Sequence, residues 1–180
     1  MSDEAGNGRI RSVAEFEEMA GAVRSKQEST KTWISVCGGT SCSASEARPV
    51  REALQDAIAK NRLKKKVGLK LTGCHGFCDH GPLVVVSPDG ICYERVKPGD
   101  AAEIIEKTVL GDEVIERLLY VDPSTSEKVQ LEKDIPFYSR QTRVLLAGNM
   151  LVDSTTIGDY FDARDFDPCP GITNLPSNAS

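Results

Sequence analysis

Apolar residues fall into strand-length runs alternating with stretches at helical spacing, an order that predicts an α/β domain. Val13, Phe16, Ala20 and Val23 recur on one helical face, and Ser12 with Glu15 has the form of a capping box at its start. Residues 26–31 are polar and read as a linker. Residues 32–36, with Trp33, Ile34 and Val36, predict a buried strand. A second box, Ser43 with Glu46, precedes Ala47, Val50, Leu54 and Ile58, which predict an amphipathic helix to about residue 61. Val67, Leu69 and Leu71 alternate as the next strand. The apolar run 83–86, the turn Ser87-Pro88-Asp89-Gly90 and the run 91–96 predict a hairpin. Pro98-Gly99-Asp100 stops the sheet. Asp100 with Glu103 then opens a helix through Ile104, Ile105, Thr108 and Val109, ended by Gly111.

Strand, helix, strand, hairpin and helix make a small four-stranded sheet flanked by helices, and the crossover favours parallel pairing of the first two strands. Beyond Tyr120 the pattern weakens. Residues 122–133 are polar, Ile135-Pro136-Phe137-Tyr138 and Val144-Leu145-Leu146 are apolar islands, and the end from Pro168 is rich in Pro, Ser and Asn. The expected organisation is an N-terminal arm and helix over residues 1–30, a sheet domain over 31–120 and an extended linker or docking segment over 121–180. Residues 121–180 show no core of their own, so the islands are expected to meet a partner protein.

The length of 180 residues suits one domain with appendages, and the apolar share of 39% suffices for a compact core. A formal net charge of -5 argues against nucleic acid as a partner, since phosphate binding draws on an excess of Lys and Arg. No apolar run approaches the roughly 18 residues needed to span a bilayer. The acidic, polar start lacks the regions of a signal peptide. The expectation is a cytoplasmic protein with no membrane insertion, in a compartment where paired cysteines serve as metal ligands or catalytic thiols.

Four of the 6 cysteines come as two close pairs, Cys37-Gly38-Gly39-Thr40-Ser41-Cys42 and Cys74-His75-Gly76-Phe77-Cys78, each where a predicted strand has just ended. Side by side, two such loops would aim four sulfurs at one point. Thiolate-rich sites select zinc or iron-sulfur clusters, and a [2Fe-2S] cluster takes Cys₄ ligation. The neighbouring glycines suit tight turns whose N–H groups face anionic sulfur. The helix expected after Cys42 would add its positive N-terminal end, worth about 0.3–1 kcal/mol. Disulfide exchange of the thioredoxin type needs Cys-x-x-Cys, a spacing neither pair has, which leaves a thiol oxidoreductase using Cys37 or Cys74 as a weaker alternative. Structural Cys₄ zinc is the main rival to a cluster.

The remaining candidates have plain readings beside the functional ones. His75, between two candidate ligands, reads as a solvent-facing loop residue or as a group coupling reduction to protonation. Cys92 reads as a small buried hydrophobe rather than a fifth ligand. Cys169 reads as a free or disulfide-prone thiol, and Trp33 as core. The basic run Lys60, Arg62, Lys64, Lys65 and Lys66 complements a helix C-terminus or offers a docking patch for an acidic partner.

Cys37-x₄-Cys42 and Cys74-x₃-Cys78, with Gly73 before, Gly81-Pro82-Leu83 after, and then Pro88-Asp89-Gly90 and Tyr93, resemble the thioredoxin-like [2Fe-2S] ferredoxins. With the linker over 135–143, residues from about 10 to 160 are similar to the N-terminal part of the flavin-binding, NADH-oxidising subunits of multisubunit hydrogenases and formate dehydrogenases, relatives of the complex I NADH dehydrogenase module. The resemblance implies a thioredoxin-like fold. It also implies a [2Fe-2S] cluster with one iron on Cys37 and Cys42 and the other on Cys74 and Cys78, and an electron-transfer subunit working beside a flavin-binding or another iron-sulfur subunit. The glycine-rich FMN and NADH site that follows in those subunits is not matched, so NADH oxidation is not carried over and no catalytic residue is assigned. A zinc-binding or cluster-less interaction or assembly module, and a truncated flavoprotein subunit, are the alternatives.

Overall fold

Strand β1, Thr32–Cys37, lies inside a four-stranded sheet, because Ile34 and Val36 on one of its faces have no exposure at all. The computed structural model describes residues 12–144, 147–153, 155–156 and 158–159. Before β1 runs helix α1, Val13–Glu28. After it come α2, Thr40–Ala44, α3, Ala47–Lys60, and β2, Val67–Thr72. Next are β3, Val84–Ser87, and β4, Ile91–Tyr93. Helix α4, Ala101–Glu103, widens into a π-helix over Ile104–Val109. The C-terminal part adds β5, Tyr120–Val121, β6, Lys128–Val129, and α5, Pro136–Ser139.

The sheet order is β2-β1-β3-β4, with β1 parallel to β2 and antiparallel to β3, and β3 antiparallel to β4. This is the expected mixed sheet: a helical crossover allows the parallel pair and a tight turn the antiparallel one. Val50, Leu54 and Ile58 of α3 and Ile104 and Ile105 are buried with Leu83 and Val84 in one core. Each such side chain contributes about 1.5–3 kcal/mol on burial. Buried Tyr93 anchors the π-helix that continues α4: its hydroxyl lies 2.6 Å from Thr108 Oγ1 and accepts the Ile115 N–H at 3.2 Å.

Several expectations change in detail. Helix α1 opens with Ser12 accepting the Glu15 N–H at 3.2 Å and runs on to Glu28, through the start of the expected linker. The Ser43–Glu46 box does not form. Residues 40–44 are already helical, Ser43 Oγ turns back to Gly38 O at 3.1 Å, and Glu46 takes a left-handed φ of 72°. Asp100 accepts the Lys97 N–H at 2.8 Å instead of capping with Glu103, and both carboxylates meet Arg117. Strand β4 ends at Tyr93 because the Glu94 N–H is taken by Leu118 O and the Arg95 N–H by His80 O. Trp33 is only half-buried; it lies over Gly68, where a Cβ would come within 2.3 Å of the indole, and under the Lys70 ammonium at 4.3 Å.

The apolar island at 135–138 does find a core. Ile135 is fully buried and Tyr138 nearly so, both among the residues that fill the sheet domain. Residues 118–132 run along the outer edge of β4, with the Cys92 N–H donating to Gln130 O and the Glu132 N–H to Gly90 O. At the other edge Asp153 accepts the Leu71 N–H at 3.3 Å and Lys70 pairs with Asp159 at 3.1 Å. Covering both edges satisfies N–H groups that an open sheet would leave for other chains. Leu145 and Leu146 of the second island lie outside the described residues. Among the described residues no helix is long and apolar enough to cross a membrane.

Candidate metal centre

Two strand ends and two loops bring the predicted ligands together. Cys37 is the last residue of β1, and Cys42 lies one turn into α2. Cys74 follows β2, and Cys78 begins the short turn 78–80. Parallel pairing of β1 with β2 puts Cys37 opposite Thr72, so both loops leave the sheet at the same end.

Close packing follows from two missing side chains. A Cβ on Gly39 would lie 3.0 Å from Cys74 Cβ and 3.1 Å from its sulfur; one on Gly81 would lie 2.6 Å from Cys42 Sγ. Each glycine thus leaves room for a cysteine side chain beside it. Among the described residues no group of three or more His, Cys, Asp or Glu is arranged to enclose a single metal ion. The sulfurs associate by pairs instead. Cys42 hydrogen-bonds Cys37, and Cys78 hydrogen-bonds Cys74.

The electrostatics favour the thiolate at Cys37 and the protonated thiol at Cys42 and Cys78. The hydrogen bond from Cys42 holds Cys37 down at about 5 against the opposing effect of burial, aided by the backbone N–H groups of His75 and Gly39. Cys42, the donor of that bond, is pushed up, with desolvation adding to the effect and the Leu83 N–H countering it. Cys78 is raised by desolvation first and by Cys74 next, while the Ser41 hydroxyl acts the other way. The Gly76 N–H donates to Cys74 Sγ at 3.3 Å. N–H groups of residues 39, 75, 76 and 83 therefore point at sulfur, and iron ligation takes cysteine as thiolate. Burial divides the pairs: Cys37 and Cys42 are each 1% exposed, Cys74 is half-buried and Cys78 lies at the surface.

His75 is not the solvent-facing residue of the plainer reading. It has no exposure; Nε2 lies 2.8 Å from Thr72 Oγ1 and Nδ1 2.9 Å from Glu132 Oε1. Thr72 donates its hydroxyl proton to Val36 O, which leaves its oxygen to accept from the ring. Phe77 stacks on His80 at 3.9 Å and on Phe137 at 4.8 Å, tying the loop to residues beyond the sheet. Arg143 hydrogen-bonds the His75 carbonyl. Sequence reasoning missed Glu132 and Arg143 as neighbours of this loop, because only the path of the C-terminal residues brings them there. Cys92 is buried in β4 and Cys169 lies outside the described residues.

A thioredoxin-like sheet with two cysteine pairs at one end, wrapped in N–H donors, defines a small iron-sulfur electron carrier. The chain belongs to the thioredoxin-like [2Fe-2S] ferredoxin family, whose model matches residues 6–109. The cofactor of that family is a [2Fe-2S] cluster and its role is electron transfer. The chain is similar to the 2Fe-2S ferredoxin of Aquifex aeolicus, 41% identical over 80 residues that make up 44% of this chain and 72% of the relative. It is similar also to the 2Fe-2S ferredoxin of Clostridium pasteurianum, 34% identical over 77 residues, 43% of this chain and 76% of the relative. Among solved structures, the wild-type thioredoxin-like [2Fe-2S] ferredoxin from Aquifex aeolicus matches with 36% identity and a TM-score of 0.46, covering 49% of this chain and 95% of the other.

Proposed function

We propose that Cys37 and Cys42 hold one iron of the [2Fe-2S] cluster and Cys74 and Cys78 the other. The cluster, when bound, supplies a site that takes up and releases one electron at a time. The observation that carries this reading is the pairing of the four sulfurs with backbone donors around them. These residues hold the thiolates, exclude water on the Cys37 and Cys42 side and leave the Cys78 side open to a redox partner. The test is iron and acid-labile sulfide per chain in anaerobically purified protein, with an electron paramagnetic resonance signal after dithionite. Stoichiometric zinc without sulfide, or full cluster content in a quadruple Cys→Ala variant of these positions, overturns it.

The larger role is a relay of single electrons within a multisubunit NAD(H)-linked oxidoreductase of the hydrogenase, formate dehydrogenase or NADH dehydrogenase type, in the cytoplasm. The partner is a flavin-binding, NADH-oxidising subunit or another iron-sulfur subunit, and residues 31–120 form the electron-carrying domain with 121–180 as its extension. Support comes from the linker over 135–143 and from the surface position of Cys78. The chain alone should not be reduced by NADH, and should be reduced once such a flavin subunit is added. No reduction in the presence of that subunit sinks this reading.

A further inference from the structure

Arg143 reaches the candidate ligand loop from far along the chain, and three observations place it there. Its Nη2 hydrogen-bonds the carbonyl of His75, the residue after Cys74. Gly76, at a φ of +84°, makes room for it: a Cβ there would lie 2.7 Å from that same Nη2. The guanidinium is packed over the Tyr138 ring at 4.8 Å, with Phe137 at 6.0 Å, and its other nitrogen lies 2.9 Å from Met150 Sδ. Aromatic faces pack against the guanidinium and hydrogen bonds fix its fork, so the charge is kept in one place.

We infer that Arg143 is a positioning residue for the cluster loop, whose fixed positive charge beside residues 75 and 76 makes one-electron reduction easier. This rests on the assignment of Cys74 and Cys78 as ligands. Reduction adds one negative charge to the site, and a nearby cation in a partly dry setting favours the more negative state. Its carbonyl contact and its place over Gly76 also hold the segment between the two ligands in register. The two effects have different signatures. Loss of the charge lowers the reduction potential. Loosening the loop lets in water, which stabilises the more highly charged reduced state and moves the potential the other way.

The experiment is a redox titration of the purified full chain, followed by electron paramagnetic resonance, on wild type and on Arg143→Met, Arg143→Gln and Arg143→Lys. Met and Gln are expected to lower the equilibrium constant for one-electron reduction about tenfold, which is about 59 mV, while Lys stays near the wild-type value. A neutral variant with an unchanged or raised potential overturns the inference. Should both neutral variants fail to hold a cluster, iron release from the Lys variant to a chelator decides: release several times faster than wild type supports the clamp, and an equal rate overturns it. A wild-type chain that binds no cluster defeats the ligand assignment itself, an outcome separate from these.

Discussion

Replacing Gly81 by alanine isolates the steric part of the site. Gly81 has an ordinary extended backbone, φ -72° and ψ 162°, so alanine meets no conformational penalty. Its methyl would lie 2.6 Å from Cys42 Sγ and 3.4 Å from the Cys78 carbonyl oxygen. Ordinary contact between carbon and sulfur is on the order of 1 Å longer than the first of these distances, so the cysteine has to move. A free thiol can turn away; a thiolate fixed on iron cannot. The overpacking penalty of about 1–3 kcal/mol should therefore fall mainly on cluster binding, weakening it roughly 5- to 150-fold. Gly39→Ala, with its closest contact at 3.0 Å, should weaken binding less. Gly90→Ala, at a φ of +79° with nothing within 4 Å, should cost about 1 kcal/mol of folding stability and leave the cluster alone. The assay is sulfide and iron content with chelator-driven loss of visible absorbance, beside urea unfolding of the apo chains. Wild-type cluster retention in Gly81→Ala, or an apo chain destabilised as much as the loaded one, would refute this reasoning.

Two further outcomes test the core and its pH response. Ile135→Ala removes a fully buried side chain contributed from beyond the sheet domain, and should cost about 2–5 kcal/mol in urea unfolding; a loss under about 0.5 kcal/mol would mean that the extension is not part of the cooperative unit. Burial raises the Cys92 thiol above its ordinary 9.0, with Glu132 and Glu94 adding to it. The folded chain then keeps this proton where the unfolded chain loses it, so the contribution is whole below about pH 9 and falls as pH rises, by about 1.36 kcal/mol per pH unit. Apo Cys92→Ala should lose stability above pH 9 less steeply by that slope, and equal slopes in denaturant titrations at pH 8 to 10.5 would contradict it.

Much of this protein lies in short-range pattern. The four strands, the helix over 47–60 and the two cysteine loops could be read from periodicity and spacing, since each depends on neighbours within a few residues. The caps at Ser43 and Asp100 misled because other hydrogen bonds compete: Ser43 turned to nearby Gly38, and Asp100 to nearby Lys97 and to Arg117, 17 residues on. Nothing local marks His75 as buried, Glu132 as its partner or Arg143 as its clasp.

Those contacts span 57 residues from His75 to Glu132, 68 from His75 to Arg143 and 82 from Leu71 to Asp153. Their partners are polar residues in a stretch without periodicity, brought into reach by the edge bonding at β4 and by the burial of Ile135 and Tyr138. Cysteine spacing and strand order determined where four sulfurs would meet. What charge stands beside their loop was decided by how the last third of the described chain folds back over both edges of the sheet.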